Sequence, residues 1–172
     1  LSELFTGSKI NVKGVSLEEK VAIPKNLYPY LQVVSAATPS ATRNMTIAVI
    51  LFKFPSTVSE PFSVTAVEST MNTVKDYYEE NSFGQLDLTG LVRNSGDVYG
   101  WYTMQSDPNP LWRHCQDIGG EMSELATEKA KEDAEKNGRD WDYTNIIYVF
   151  PLRNCGGAGG WALLNGKKAW IN

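Results

Sequence analysis

Two kinds of apolar pattern alternate along the chain: continuous runs bounded by Pro or Gly, and stripes recurring at steps of three and four. Thr46 to Phe54 (TIAVILFKF) is nearly all apolar and rich in β-formers, the pattern of a strand buried on both faces, and Pro55 ends it. From Ser63 to Asn81, Val64, Val67, Met71, Val74 and Tyr78 fall on one helical face, and Thr65 with Glu68 has the spacing of a capping box. Ser82-Phe83-Gly84 breaks that helix. Leu86, Leu88 and Val92 then predict a strand interrupted by Gly90, and Val98 to Tyr102 a second one, with turn chemistry at Asn94 to Asp97 between them.

A second helix is expected from Asp117 to Asn137. Ile118, Met122, Leu125, Ala126, Ala130 and Ala134 form its narrow stripe, and Asn137-Gly138 is its stop. The Glu- and Lys-rich remainder reads as a solvated face. Ile146 to Phe150 is a further apolar run, stopped by Pro151. Glycine-rich punctuation follows from Cys155 to Gly160, then short runs at Trp161 to Leu164 and Ala169 to Ile171, with a turn at Asn165-Gly166 between them. Helices alternating with apolar strands predict an α/β (α+β) fold, a mixed, mostly parallel twisted sheet with two long helices.

The first 36 residues differ in texture. Lys9 to Val15 alternates polar and apolar, and Val21 to Ile23 and Leu31 to Val34 are short strand candidates, so residues 1–36 read as a β-rich leader or the end of a small preceding domain. Small, polar and proline-containing residues make 37–45 a linker, which leaves 46–172 as the main domain. The chain opens on Leu1 without a signal-peptide pattern, so it reads as an excerpt from something longer.

At 172 residues the chain is long enough to bury a real core. Its net charge of −4 and the lack of a Lys/Arg cluster argue against a nucleic-acid partner. No apolar run approaches the roughly 18 residues of a membrane span. Cys115 stands just before the second helix and Cys155 just after the strand that follows it. A helix packed antiparallel to the next strand places those ends on one side of the sheet, so a disulfide is geometrically reasonable; two free buried thiols are the alternative. Closing a loop of about 40 residues would add on the order of 4 kcal/mol in the chain-entropy model, and such a bridge implies an oxidising compartment. Asn44-Met45-Thr46 is a lone glycosylation sequon at Asn44.

Candidate chemistry is sparse. His114 is the only histidine, so the usual three- or four-ligand zinc site cannot be assembled and no H-E-x-x-H is present. Asp107, before Pro108, reads as a turn former. Gly156, Gly157, Gly159 and Gly160 are followed by a strand-like segment rather than a helix, which disfavours a phosphate cradle. They suit an exposed edge that takes up an extended peptide as an added strand, or a plain structural turn beside a disulfide.

Three segments carry a family resemblance. Thr46–Phe54, the helix end Val74 to Gly84 and the strand Gln85–Val92 resemble secreted zinc metallopeptidases of the gametolysin and immune-inhibitor-A kind, which are metzincin-like. Tyr77, Tyr78, Glu80, Ser82, Phe83, Gly84, Leu86, Leu88, Gly90 and Val92 fit the shared pattern. More loosely, Cys155, Gly159, Trp161 and the closing Ala169 to Asn172 resemble the segment preceding the zinc helix in such enzymes. The resemblance covers about residues 46–172 and implies an N-terminal subdomain that lacks the H-E-x-x-H segment, with Asn172 just before the expected active-site helix.

On that resemblance the parent protein is a secreted zinc endopeptidase that hydrolyses peptide bonds with metal-activated water. This chain would carry no zinc ligand and no catalytic residue, and would be inactive alone. Its contribution would be a peptide- or protein-binding rim at Gly159, Gly160, Trp161, Ala162 and Leu163, acting mainly through backbone groups. Its partners would be the substrate and the missing C-terminal part of the domain. The sheet face that the active-site helix would cover is expected to be apolar around Ile146, Tyr148 and Trp170. The competing expectation is a non-catalytic binding module using the same glycine-rich edge; an unrelated secreted α/β domain with a structural or adhesive role is a third.

Overall fold

The computed structural model describes residues 9–11, 15–17, 20–22, 32–35, 43–57, 59–108, 114–151 and 159–172. The chain divides into two units, Leu1–Thr42 and Arg43–Asn172. In the first, β1 (Lys9–Asn11) pairs antiparallel with β4 (Gln32–Ser35), and β2 (Val15–Leu17) pairs antiparallel with β3 (Lys20–Ala22).

The second unit is built on β5 (Arg43–Lys53), which starts three residues ahead of the apolar run. Its residues from Ile47 to Phe52 are all buried, and alternate side chains go to opposite faces. Ile47, Val49 and Leu51 enter one core with Val67 and Met71; Ala48, Ile50 and Phe52 enter another with Ala126, Ala130 and Ala134. Each face is closed by a helix. α1 (Val64–Asn81) presents Val67 and Met71, flanked by Val64 and Val74, while Tyr78 at the end of the stripe stays 45% exposed.

The start of α1 is capped differently from the capping box expected at Thr65 and Glu68. The Ser63 hydroxyl accepts the Ala66 N–H at 3.1 Å, and Glu68 instead pairs with Arg93 at 3.0 Å. Capping falls to the residue whose backbone is still extended, and that is Ser63, with φ −77° and ψ 156°.

β6 (Leu86–Thr89) lies parallel to the first part of β5, and β7 (Asp97–Thr103) parallel to its later part, both on the same side. Val92 falls outside β6 and is exposed. The second helix is broken. α2 (His114–Asp117) runs into a π-helical turn at Ile118–Met122, with Gly120 off helical geometry, and α3 (Ser123–Lys136) follows. Gly138, at φ 65°, ends α3 with its N–H on the Glu135 carbonyl.

β8 (Asn145–Val149) lies parallel to β5 on its other side, β10 (Lys168–Ile171) lies parallel to β8, and β9 (Gly160–Ala162) pairs antiparallel with β10 at the outside. The sheet is therefore mixed and mostly parallel, in the order β6-β5-β8-β10-β9, with β7 also beside β5. The chain leaves β5 through α1 toward β6, then returns from β7 through α3 to β8. Parallel crossovers are right-handed, so crossings in opposite directions put their helices on opposite faces. That is why both faces of β5 are covered.

One loop is held by a buried carboxylate. Asp97, 2% exposed, accepts the N–H groups of Leu91, Val92 and Arg93 at 2.6–3.3 Å and the Tyr143 hydroxyl at 2.6 Å. Tyr143 in turn accepts from the Tyr99 hydroxyl at 2.7 Å. A Cβ at Gly90 would stand 2.6 Å from this pinned carboxylate, so no side chain fits there. Burial, then the bond to Asp97, pushes the Tyr143 phenol well above its ordinary range. Tyr102, bonded to Asp133 at 2.7 Å, is raised first by burial and then by that carboxylate. Both phenols therefore act as neutral donors.

Asp97→Ala, which strands three backbone donors, is expected to lower stability by about 3 kcal/mol in urea unfolding. Because Tyr143 and Tyr102 are raised in the folded state, their stabilisation is complete below the unfolded phenol value of about 10 and is lost as pH rises above it. The Tm should fall above about pH 10, and Tyr143→Phe should flatten that alkaline fall.

Candidate peptide-binding edge

The five rim residues, Gly159 to Leu163, come together as the outer strand and the residue on either side of it, and alternate in direction. Leu163 N–H donates to the Lys168 carbonyl at 3.3 Å, and Asn172 N–H donates to the Gly159 carbonyl at 3.1 Å. With Trp161 opposite Trp170, residues 159, 161 and 163 thus turn their backbone groups toward β10. In an antiparallel ladder the residues between them face away, so Gly160 and Ala162 point N–H and C=O to the free side of the sheet. No described strand pairs with that side.

Local chemistry makes this edge. Gly160 passes so close to β10 that a Cβ would sit 2.7 Å from the Trp170 carbonyl oxygen. The hairpin turns through Asn165 at φ 57°, a conformation Asn tolerates, and Gly166 N–H closes the turn on the Leu163 carbonyl at 2.9 Å. Trp161 is half-buried while Gly160, Ala162 and Leu163 are exposed.

Side-chain parity corrects one expectation. Tyr148 and Trp170 lie in the α3-side core, at 0% and 3% exposure, with half-buried Ile146 packed against it. The open apolar face belongs to their neighbours. Ile147, Ala169 and Ala162 line a groove of about 210 Å³ between α1 and the β9–β10 hairpin, with Ile47, Leu88 and Tyr78. Ile171 on that parity is 47% exposed. β8 and β10 are apolar at successive positions, so the sequence left the choice of face open, and the fit to α3 decides it.

Tyr148 has its phenol raised, chiefly by burial. A second cleft, about 460 Å³, lies among Met104, Gln105, Asp107, Asp117 and Glu121. Asp107 there ties two loops, accepting the Ser56 N–H at 3.2 Å and hydroxyl at 2.6 Å. Asp107 is therefore an anchor between two loops, a role beyond the turn former that its place before Pro108 suggests.

Asn44 is exposed on β5, opposite Asp87 of β6. Cys115 is half-buried in α2, whereas Cys155 and Gly156–Gly157 lie outside the described residues. His114 opens α2, but its side chain is also outside them. Among the described residues no three His, Cys, Asp or Glu side chains converge to hold a metal. Nor is any described helix long and apolar enough to cross a membrane.

Sequence reasoning passes over Ser123 and Thr127 because they lie beside the apolar stripe of α3 rather than in it. Their signal was spacing: with Gly119 they form a row of small residues four apart. No protein-family model, no curated protein and no solved structure matches this chain.

Ala162→Pro removes only an outward donor and should change stability by less than about 1 kcal/mol. The same change at Leu163 deletes a ladder bond and should destabilise measurably more, as read by thermal unfolding.

Proposed function

We propose that this chain is the N-terminal, peptide-binding part of a secreted zinc-dependent endopeptidase, in which β9 takes up an extended substrate as an added strand. The observation that carries the proposal is the free side of β9, where Gly160 and Ala162 offer backbone groups beside an otherwise parallel sheet. Main-chain pairing selects extended peptides with little regard to side chains.

Three further features support this reading. The order of strands and helices is the one the metzincin-like resemblance implies. The antiparallel strand is the outermost. The apolar groove beside α1, on the face opposite to the one expected at Tyr148 and Trp170, offers an uncovered surface against which a further helix would pack.

Zinc would belong to residues that this chain does not have. One histidine and no converging ligand set among the described residues do not fit a catalytic zinc, so no hydrolytic step is assigned to this chain. Its share of the chemistry is to orient the peptide. The same edge would equally serve a non-catalytic peptide- or protein-binding module. An H-E-x-x-H segment downstream of Asn172 in the parent protein separates the two: its presence supports the peptidase, and its absence leaves the binding module.

Secretion rests on the proposed Cys115–Cys155 bridge. Thiol titration of the denatured, unreduced protein should find no free thiol; two would remove the bridge and this argument for an oxidising compartment. Strand addition is tested by NMR titration with an end-blocked alternating Val-Thr hexapeptide. The Gly160 amide should shift in the native protein and stay still in Ala162→Pro. Equal shifts in both would retire the edge.

A further inference from the structure

Three residues of pairing to one neighbour are little to hold an edge strand in place, since a short hairpin alone is marginal in water. The side chain of Trp161 supplies what the ladder lacks. Tyr148, Trp170 and Trp161 stand opposite one another on β8, β10 and β9. Their ring centroids are 5.6 Å apart at each step, and the planes are inclined by 19° and 11°.

Beneath this stack the helix crosses the three strands with a small residue at every fourth position, one under each ring. Thr127 donates its hydroxyl hydrogen to the Ser123 carbonyl at 2.8 Å and accepts from the Tyr148 hydroxyl at 2.9 Å. Ser123, fully buried, accepts the Trp170 indole N–H at 2.8 Å and donates to the Ile118 carbonyl. Gly119 lies under the third ring, where an added Cβ would be 3.8 Å from Trp161. The π-helical turn at 118–122 sets the spacing of this row, and the Ser123 hydroxyl closes the turn on Ile118.

We infer that the row Gly119, Ser123 and Thr127 is the positioning device of the edge. Through Trp161 it fixes the height and twist of β9, so that Gly160 and Ala162 stay in line for an incoming strand. This inference rests on the reading of β9 as a peptide-binding edge, and it adds a control point: a change at the turn before α3 reaches the peptide through one indole ring. Trp161 is thus a positioning residue that need not touch the peptide.

The test is amide hydrogen exchange at Leu163 and Asn172, the donors across β9–β10, measured in the full chain without peptide and then repeated with the Val-Thr hexapeptide. Trp161→Ala should speed exchange at both amides at least about tenfold relative to Val49 and Ile50 of β5, and should abolish the peptide shift at Gly160. Trp161→Phe should restore most of both. Gly119→Leu, approaching from the helix side, should reproduce the Trp161→Ala pattern if the alanine variant folds poorly. Unchanged exchange at Leu163 and Asn172, or equal acceleration throughout β5, overturns the positioning role. A native protein that shows no peptide shift sinks strand addition instead, and the exchange pattern read without peptide tells the two failures apart.

Discussion

β5 has no polar face, and a strand without one has to be covered twice. Ile47 to Phe52 are all buried, so water is excluded from both sides of the sheet at its centre. Losing one of its large side chains would cost about 2–5 kcal/mol, which makes this strand the least replaceable part of the domain. The two crossovers run in opposite directions because only that route brings a helix to each face. Everything beyond β8, including the hairpin that forms the edge, is built outward from this double burial.

The strength of each sequence signal explains how much of this was legible. β5, α1 and α3 announce themselves because the residues that must be buried also set the period. The alanines of α3 sit within reach of the sheet as their size implied, and all three are fully buried. Less was readable wherever two choices share one composition. Ser63 and Thr65 are both good caps, and only the backbone angle separates them. In β8 and β10 consecutive residues are apolar, so a one-residue change of parity leaves the pattern intact while exchanging Ile147 for Tyr148 on the open side.

The edge shows both sides of this limit. Its glycines and tryptophan are visible as a departure from the preceding runs, and Gly160 proves to be required by the close approach of β10. Which backbone groups point outward follows from pairing register, which no local pattern encodes. The polar seat under the aromatic stack was hidden for a different reason. Ser123 and Thr127 look like ordinary polar neighbours of an apolar stripe, and their role depends on rings some 20 to 50 residues later in the chain, with Trp170 47 positions from Ser123.

The alternation along β9 also bounds how firmly anything can be held there. Gly160 and Ala162 present two donors and two acceptors, and a net contribution of about 0.5–1.5 kcal/mol per bond gives roughly 2–6 kcal/mol in total. Loss of translational and rotational freedom on association opposes this by an estimated 4 kcal/mol or more. Backbone pairing at this edge therefore leaves about 2 kcal/mol at best, an affinity of tens of millimolar. Such an edge sorts extended chains from folded ones and releases them quickly; a long-lived complex has to draw its hold from side chains set against some other surface.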